Sequence, residues 1–157
     1  MKHTLTALVE NQPGVLARIV GLISGRGYNI ESLNVGPTQD PSASRMTIQV
    51  PGDDRVLEQV TKQLNKLVDV IKVTDLTKQE HVKRELLLIK VSGSRGKRTE
   101  IIELANLFGS QIVAVGAESL VIQVIDGEHD VDGFIELLKP YGIMDISRSG
   151  VTAMAKD

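Results

Sequence analysis

The strongest constraint on the fold of this chain is one order of secondary-structure patterns that occurs twice. An alternating apolar segment, typical of a strand, precedes a segment with apolar residues three and four apart, typical of a helix. Two strand patterns, a second helix pattern and a closing strand pattern follow, and the whole order then repeats. This β-α-β-β-α-β order is that of a ferredoxin-like unit. The sequence therefore predicts an α+β chain of two tandem ferredoxin-like units, each with two helices on one face of a four-stranded antiparallel sheet.

The first unit is predicted to span residues 1–77. Its strands are predicted at Lys2–Val9, Tyr28–Val35, Arg45–Val50 and Val68–Leu76, with helices that begin at Pro13 and after Asp53. The polar segment 78–83 is predicted to be a linker, and residues 84–157 are predicted to form the second unit. The strands of that unit are predicted at Glu85–Val91, Gln111–Val115, Leu120–Ile125 and from Ile143 onward, with helices at Thr99–Phe108 and Val131–Leu138.

The second strand of the first unit is predicted to lie at a sheet edge. In the ferredoxin-like fold the strands lie side by side in the order 4-1-3-2. Ile30, Leu33 and Val35 would make this edge apolar, and an exposed apolar edge is prone to association. Pairing with a second copy would continue the sheet through a symmetric dimer. The alternative is that the second half of the chain covers the edge.

The turn before the first helix, Asn11–Leu16, has residues suited to holding a free amino acid. The first amides of a helix lack intrahelical acceptors and favour an anion, and Pro13 has no amide hydrogen. The donors left for a carboxylate are those of Gly14, Val15 and Leu16. The side-chain amides of Asn11 and Asn29 would accept from an ammonium group. The alternative is ordinary capping of the helix by Asn11 or Gln12.

Composition argues against several other classes of partner. The formal net charge is −2, and the aromatic residues are two Tyr and two Phe with no Trp. A nucleic-acid binder usually carries a basic surface, and a single-strand binder also needs stacking aromatics. The absence of Cys excludes disulfides and thiolate sites. No segment resembles a signal peptide or a membrane span. We therefore expect a cytoplasmic protein that binds neither nucleic acid nor membrane.

Two loops of the second half contain ligand-type residues but match no known site pattern. The loop Gly93–Thr99 lies where a phosphate-binding loop would, yet Val91 replaces a required glycine and Arg98 replaces Ser or Thr. The acidic segment Asp126–Asp132 precedes a helix, where carboxylates cap amides, and it lacks the ligand order of a Ca²⁺ loop. The histidines, which lack an acidic partner at a telling spacing, are His3, His81 and His129. We predict no catalytic residue and no metal site.

Several runs resemble a known family. The runs Asn11–Arg18 and Gly27–Leu33 resemble an ACT domain. More narrowly, the chain resembles the small regulatory subunits of acetolactate synthase (acetohydroxyacid synthase). The runs that carry this resemblance are Arg26–Leu33, Pro37–Thr38, Ser44–Ile48, Gln63–Val70 and Arg148–Val151. The resemblance extends over essentially the whole chain and is most specific in the first half.

The resemblance implies a subunit with no catalytic activity of its own. Such subunits bind and activate a thiamine-diphosphate-dependent large subunit and confer feedback inhibition by valine or a related branched-chain amino acid. A homodimer through the ACT domains is implied, with the effector between the helix-start turn of one chain and the edge strand of the other. The implied effector residues are Asn11, Gly14, Val15, Leu16, Asn29 and Ile30. No cofactor is implied on this chain; thiamine diphosphate, Mg²⁺ and FAD are expected on the large subunit.

Two other functions share the ferredoxin-like topology. An acylphosphatase-like hydrolase needs an anion-binding Arg in the first strand-to-helix turn, and Arg18 lies one turn too late for that role. An RNA-binding module needs exposed aromatics on its central strands. The central strands of this chain instead carry Leu5, Ala7, Ile48 and Val50. The residues therefore favour a regulatory binding subunit.

Overall fold

The computed structural model describes residues 2–94 and 96–157, so Arg95, in the basic loop Gly93–Thr99, lies outside the described residues. The chain forms two compact units. One comprises the residues up to Lys83 together with Gly150–Asp157, and the other comprises Arg84–Ser149. Each unit contains a sheet and two α-helices. The predicted α+β class with two βαββαβ-like units is confirmed.

The elements follow the predicted order, with one additional strand at the end. In chain order they are β1 (Lys2–Glu10), α1 (Val15–Gly25), β2 (Ser32–Pro37), β3 (Ala43–Pro51), α2 (Asp54–Asn65), β4 (Val70–Asp75), β5 (His81–Ser92), α3 (Arg98–Leu107), β6 (Gln111–Val115), β7 (Ser119–Asp126), α4 (Val131–Leu138), the short 3₁₀ helix η1 (Lys139–Tyr141), β8 (Ile143–Arg148) and β9 (Thr152–Ala155). The first three residues of β5 occupy part of the segment predicted as a linker. No helix in the described part of the chain is long and apolar enough to cross a membrane.

The first unit has an antiparallel sheet in the order β2-β3-β1-β4, which confirms β2 as an edge strand. Alternation along the central strands places Leu5 opposite Ile48 and Ala7 opposite Met46. These side chains face the two helices and form one buried core with them. Alternate residues such as Thr6 point to the opposite face of the sheet.

The helix α1 ends in a glycine cap that delays the start of β2. Gly27 has a φ of 77°, and its amide donates to the Ser24 carbonyl at 3.0 Å. The Tyr28 amide reaches back to the Ile23 carbonyl at 3.3 Å. This pair of bonds is a Schellman cap. The predicted start of the strand at Tyr28 is therefore wrong, because the cap keeps that residue at the helix and the strand begins at Ser32.

The second unit repeats the strand order of the first, β6-β7-β5-β8. Inward residues of its central strands, including Leu87 and Ile89, are fully buried beneath α3 and α4. Phe134 is the largest fully buried side chain, and its ring stacks on Phe108 with the centroids 5.1 Å apart. This aromatic pair lies in the core between the sheet and the two helices.

Both units carry a register irregularity at the corresponding place. The pairing of β1 with β4 shifts between Leu8 and Val9. The pairing of β5 with β8 shifts between Lys90 and Val91. Each shift lies near the end of the first strand of its unit, just before the loop that leads to a helix. A bulge at that position bends the strand and redirects the chain that follows.

The C-terminal segment differs from the prediction of one closing strand from Ile143 onward. The chain forms β8 and then a separate strand, β9, which pairs with β5 and also packs beside β1 and β3. Both edges of β1 are already paired, so β9 lies against a face of the first sheet. Thr4, Thr6 and Thr47 are buried on the face that the helices do not cover. We therefore place β9 on that face.

Candidate functional site

The turn that opens α1 leaves two amides without a partner among the described residues. Gly14 is the N-cap with a φ of 84°, a left-handed conformation that glycine adopts without steric cost. The helix consequently begins at Val15, two residues after the predicted start. The Val15 amide donates to the Gln12 carbonyl at 3.4 Å, whereas nothing described accepts from the amides of Gly14 and Leu16. These two donors lie at the positive end of the helix.

Asn11 is held by a neighbouring loop and does not cap the helix. Its backbone amide donates to the Ser42 carbonyl at 2.8 Å, and its side-chain Nδ2 donates to the Pro41 carbonyl at 3.1 Å. The loop is braced in turn by Asp40. Its carboxylate accepts from the hydroxyl and the amide of Ser42, and both bonds lower the pKa of Asp40 below its usual value. The Nδ2 bond fixes Asn11 and does not use its Oδ1 oxygen.

A cleft of about 340 Å³ lies beside this turn. Its floor is largely apolar, and Leu16 is 40% exposed at the cleft. Polar groups from the end of β1 and the turn line the remainder. The lining residues are Val9, Glu10, Asn11, Gln12, Val15, Leu16, Val35, Gly36, Pro37, Ser44 and Met46. The cleft therefore places an apolar wall within reach of the unpaired helix-start amides.

Arg18 also reaches the turn, contrary to the sequence-based expectation that it lies too far along the helix. Its Nε and Nη2 atoms bind Asp69 Oδ2 at 2.8 and 2.7 Å. Its Nη1 atom lies 3.2 Å from the position that a Cβ on Gly14 would occupy. Helical side chains lean toward the N-terminus, so a residue four positions later covers the first turn. Arg18 thus adds positive charge beside the amides, partly balanced by Asp69.

The other predicted effector residues lie in a second cleft. Asn29 and Ile30 line a space of about 490 Å³ near the end of α1. The remaining lining residues are Val20, Ser24, Gly27, Tyr28 and Leu33. Neither Asn29 nor Ile30 lines the cleft that contains Asn11. Within one chain, the structure therefore keeps the two predicted halves of the site apart.

Sequence reasoning missed the residues that support the first cleft. The Asp40–Ser42 loop holds Asn11 through two carbonyl groups, and Val35 and Pro37 come from the far end of β2. The prolines of the loop signalled a turn. Its contact with Asn11 depends on the pairing of β1 with β3, which no local pattern shows.

The loops of the second unit use their polar groups internally. Arg98 donates from Nε to the Gly93 carbonyl at 2.9 Å and from Nη2 to the carbonyls of Gly116 and Ala117. Asp130 caps α4 by accepting from the Gly133 amide at 3.0 Å, so the predicted capping role of the acidic segment is confirmed. Among residues 2–94 and 96–157, no group of three or more His, Asp or Glu is placed to hold a metal ion.

Comparison with known proteins gives a consistent match for both units. Residues 5–72 match the family described as AHAS small subunit-like ACT domain, and residues 84–157 match the family described as small subunit of acetolactate synthase. A probable acetolactate synthase small subunit of Archaeoglobus fulgidus is 53% identical over 156 residues, covering 99% of this chain and 98% of the relative. The acetolactate synthase small subunit of Aquifex aeolicus is 48% identical over 99% of this chain and 82% of its own length.

A solved structure extends this similarity to the fold. The crystal structure of the acetolactate synthase small subunit from Thermotoga maritima matches with a TM-score of 0.88 and 37% sequence identity. The match covers 100% of this chain and 98% of that chain. The similarity therefore includes both units as well as the turn and edge strand described above.

Proposed function

Because this chain belongs to the family of acetolactate synthase small subunits, we propose that it senses valine or a related branched-chain amino acid and transmits feedback inhibition to the catalytic large subunit. The family makes it a regulatory subunit that associates with that large subunit. Thiamine diphosphate, Mg²⁺ and FAD belong on the large subunit in this proposal. This chain supplies effector binding, activation and the coupling between them.

The observation that carries the proposal is the pair of helix-start amides beside an apolar cleft. The amides of Gly14 and Leu16 are suited to the carboxylate of an amino acid, and Arg18 adds a positive charge nearby. Val15 and Leu16 offer apolar contacts for a branched side chain. At about 340 Å³ the cleft is at the small end of the roughly 300–1,000 Å³ range of ligand cavities.

The ammonium group of the effector requires acceptors, and a second chain is the proposed source of one. Asn11 offers its Oδ1 oxygen at the first cleft, whereas Asn29 lines the other cleft of the same chain. The strand β2 has β3 as its partner in the sheet and carries Val35, which is 42% exposed. Pairing two copies through β2 would cover this edge and bring Asn29 and Ile30 of one chain to the Asn11 turn of the other.

Such a shared site gives a direct route to inhibition. A ligand held by two chains favours whichever arrangement of the dimer fits it best. It inhibits only if it binds the inhibited state more tightly than the active state. Allosteric coupling of about 1–3 kcal/mol, or roughly 5–150-fold in affinity, is typical.

Reconstitution with the large subunit tests this function. We expect the chain to raise acetolactate formation by the large subunit and to make that activity sensitive to valine. Asn11→Ala should activate equally well but require at least about tenfold more valine for half-inhibition, a loss of about 1.4 kcal/mol. The matched control is Asn106→Ala, at an exposed position of α3 in the second unit.

The outcomes separate the parts of the proposal. An activating chain with no valine response would contradict amino-acid sensing. A chain that neither binds nor activates the large subunit would contradict the regulatory role. Equal valine sensitivity in Asn11→Ala and Asn106→Ala would move the effector away from the first cleft.

A further inference from the structure

The residues just before β9 contact the beginning of β2. Gly150 has a φ of 85°, and a Cβ placed there would lie 2.5 Å from the Leu33 carbonyl oxygen. The next amide, that of Val151, donates to the Ser32 hydroxyl at 2.8 Å. Only a glycine permits so close an approach in this backbone conformation. The chain is thus fitted against the backbone of the edge strand at its first two residues.

The residues immediately before Gly150 are anchored on β5. Ser149 donates its amide to the Leu86 carbonyl at 3.0 Å, and its hydroxyl accepts from the Leu86 amide at 3.0 Å. Arg148 binds the buried carboxylate of Glu85 at 3.1 Å. Consecutive Cα atoms are about 3.8 Å apart. A strap of four residues, Arg148–Val151, therefore has its first two residues held on β5 and its last two on β2.

The attachment point on β2 lies next to the second half of the proposed effector site. Asn29 and Ile30 precede Ser32 by three and two residues, in a segment that belongs to neither α1 nor β2. The Glu31 amide donates to the Gln49 carbonyl at 2.9 Å, which joins this segment to β3. The strap holds the C-terminal end of the same segment through Ser32 and Leu33.

We propose that Gly150 and Val151 are positioning residues for the Asn29 half of the effector site, and that the strap links effector binding to the second unit. This inference rests on the proposed function. An edge strand with one sheet partner opens more readily than a central strand. Contacts that hold it in place reduce the ordering that a ligand must bring about. A ligand that orders β2 would, by the same linkage, tighten the strap.

The test measures valine affinity by titration calorimetry and backbone hydrogen exchange over residues 28–37 in the full chain. Gly150→Ala should speed exchange in β2 and weaken valine binding by about tenfold, within the roughly 5–150-fold range of allosteric coupling. Ser32→Ala, a milder change, should act in the same direction, and Ser32→Thr should restore the wild-type values because it keeps the hydroxyl. The matched control is Gly142→Ala, which also has a positive φ of 93° but whose Cβ would meet only Ser92 Cβ, at an ordinary 3.5 Å.

The two measurements distinguish failure of this inference from failure of the proposed function. A wild-type chain that binds no valine would overturn the proposed function, while the exchange data would still report on the strap. Unchanged exchange in β2 of both Gly150→Ala and Ser32→Ala would overturn the strap. Faster exchange with unchanged valine affinity would overturn its link to the effector site.

Discussion

Mixing Asn11→Ala chains with Asn29→Ala chains is expected to restore valine sites that neither variant forms alone. In a shared site, each homodimer lacks one necessary amide at both of its sites. A mixed dimer has one site with both substitutions and one site with neither. The intact site takes its turn from the Asn29→Ala chain and its edge segment from the Asn11→Ala chain.

The expected number of restored sites follows from random exchange of subunits. Half of the dimers become mixed and each carries one intact site of two, so about a quarter of the wild-type sites return. Calorimetric stoichiometry after subunit exchange measures this fraction, and a mixture of Asn11→Ala with itself is the control. If the site lay within one chain, every chain in the mixture would be defective. No recovery would therefore contradict the shared site.

Replacing Phe134 with alanine should strongly destabilise the second unit. The side chain is fully buried and stacked on Phe108, so the substitution removes the largest contribution to that core. Phe→Ala in a core typically lowers the free energy of unfolding by about 3–5 kcal/mol. Urea-dependent hydrogen exchange over α4 measures this loss for the second unit alone.

An exposed residue of the same unit provides the control for this loss. Leu107→Ala, at a position 80% exposed at the end of α3, should change the free energy by less than about 0.5 kcal/mol. A comparable loss in both variants would show that burial of Phe134 is not what stabilises the unit. Preserved protection of β1 and β3 in Phe134→Ala would show that the first unit retains its own core.

The parts of the fold that the sequence predicted are those set by local periodicity. Alternation in β1 placed Leu5 and Ala7 on the core face, and both are fully buried. The spacing of Val15, Ile19 and Ile23 defined the inner face of α1, and all three are buried. The edge position of β2 followed from the order of elements, because that order admits few sheet topologies.

The features that sequence reasoning missed depend on contacts between distant residues. The late start of β2 results from the Gly27 cap, whose bonds hold Tyr28 at the end of α1. The position of Arg18 results from its ion pair with Asp69, which is 51 residues away. The place of β9 depends on the sheet that it covers. Periodicity reports which face of an element is buried but not what buries it.

The Asn11 turn illustrates both limits. Its glycine and proline identify a helix start, and the family resemblance singles it out as a site. Its spacing alone does not separate a capped helix from a ligand cleft. That distinction came from the use of the Asn11 side chain on Pro41 and from the unpaired amides of Gly14 and Leu16.

The matching register shifts in β1 and β5 point to a common ancestry of the two units. An irregularity at the same place in two otherwise dissimilar sequences is what an internal gene duplication leaves behind. After that event the loops beyond the shifts diverged. One copy acquired or kept the Pro13–Gly14 turn, and the other now has a loop closed by Arg98. The second unit is therefore a sister of the sensing unit in which the corresponding loop became structural.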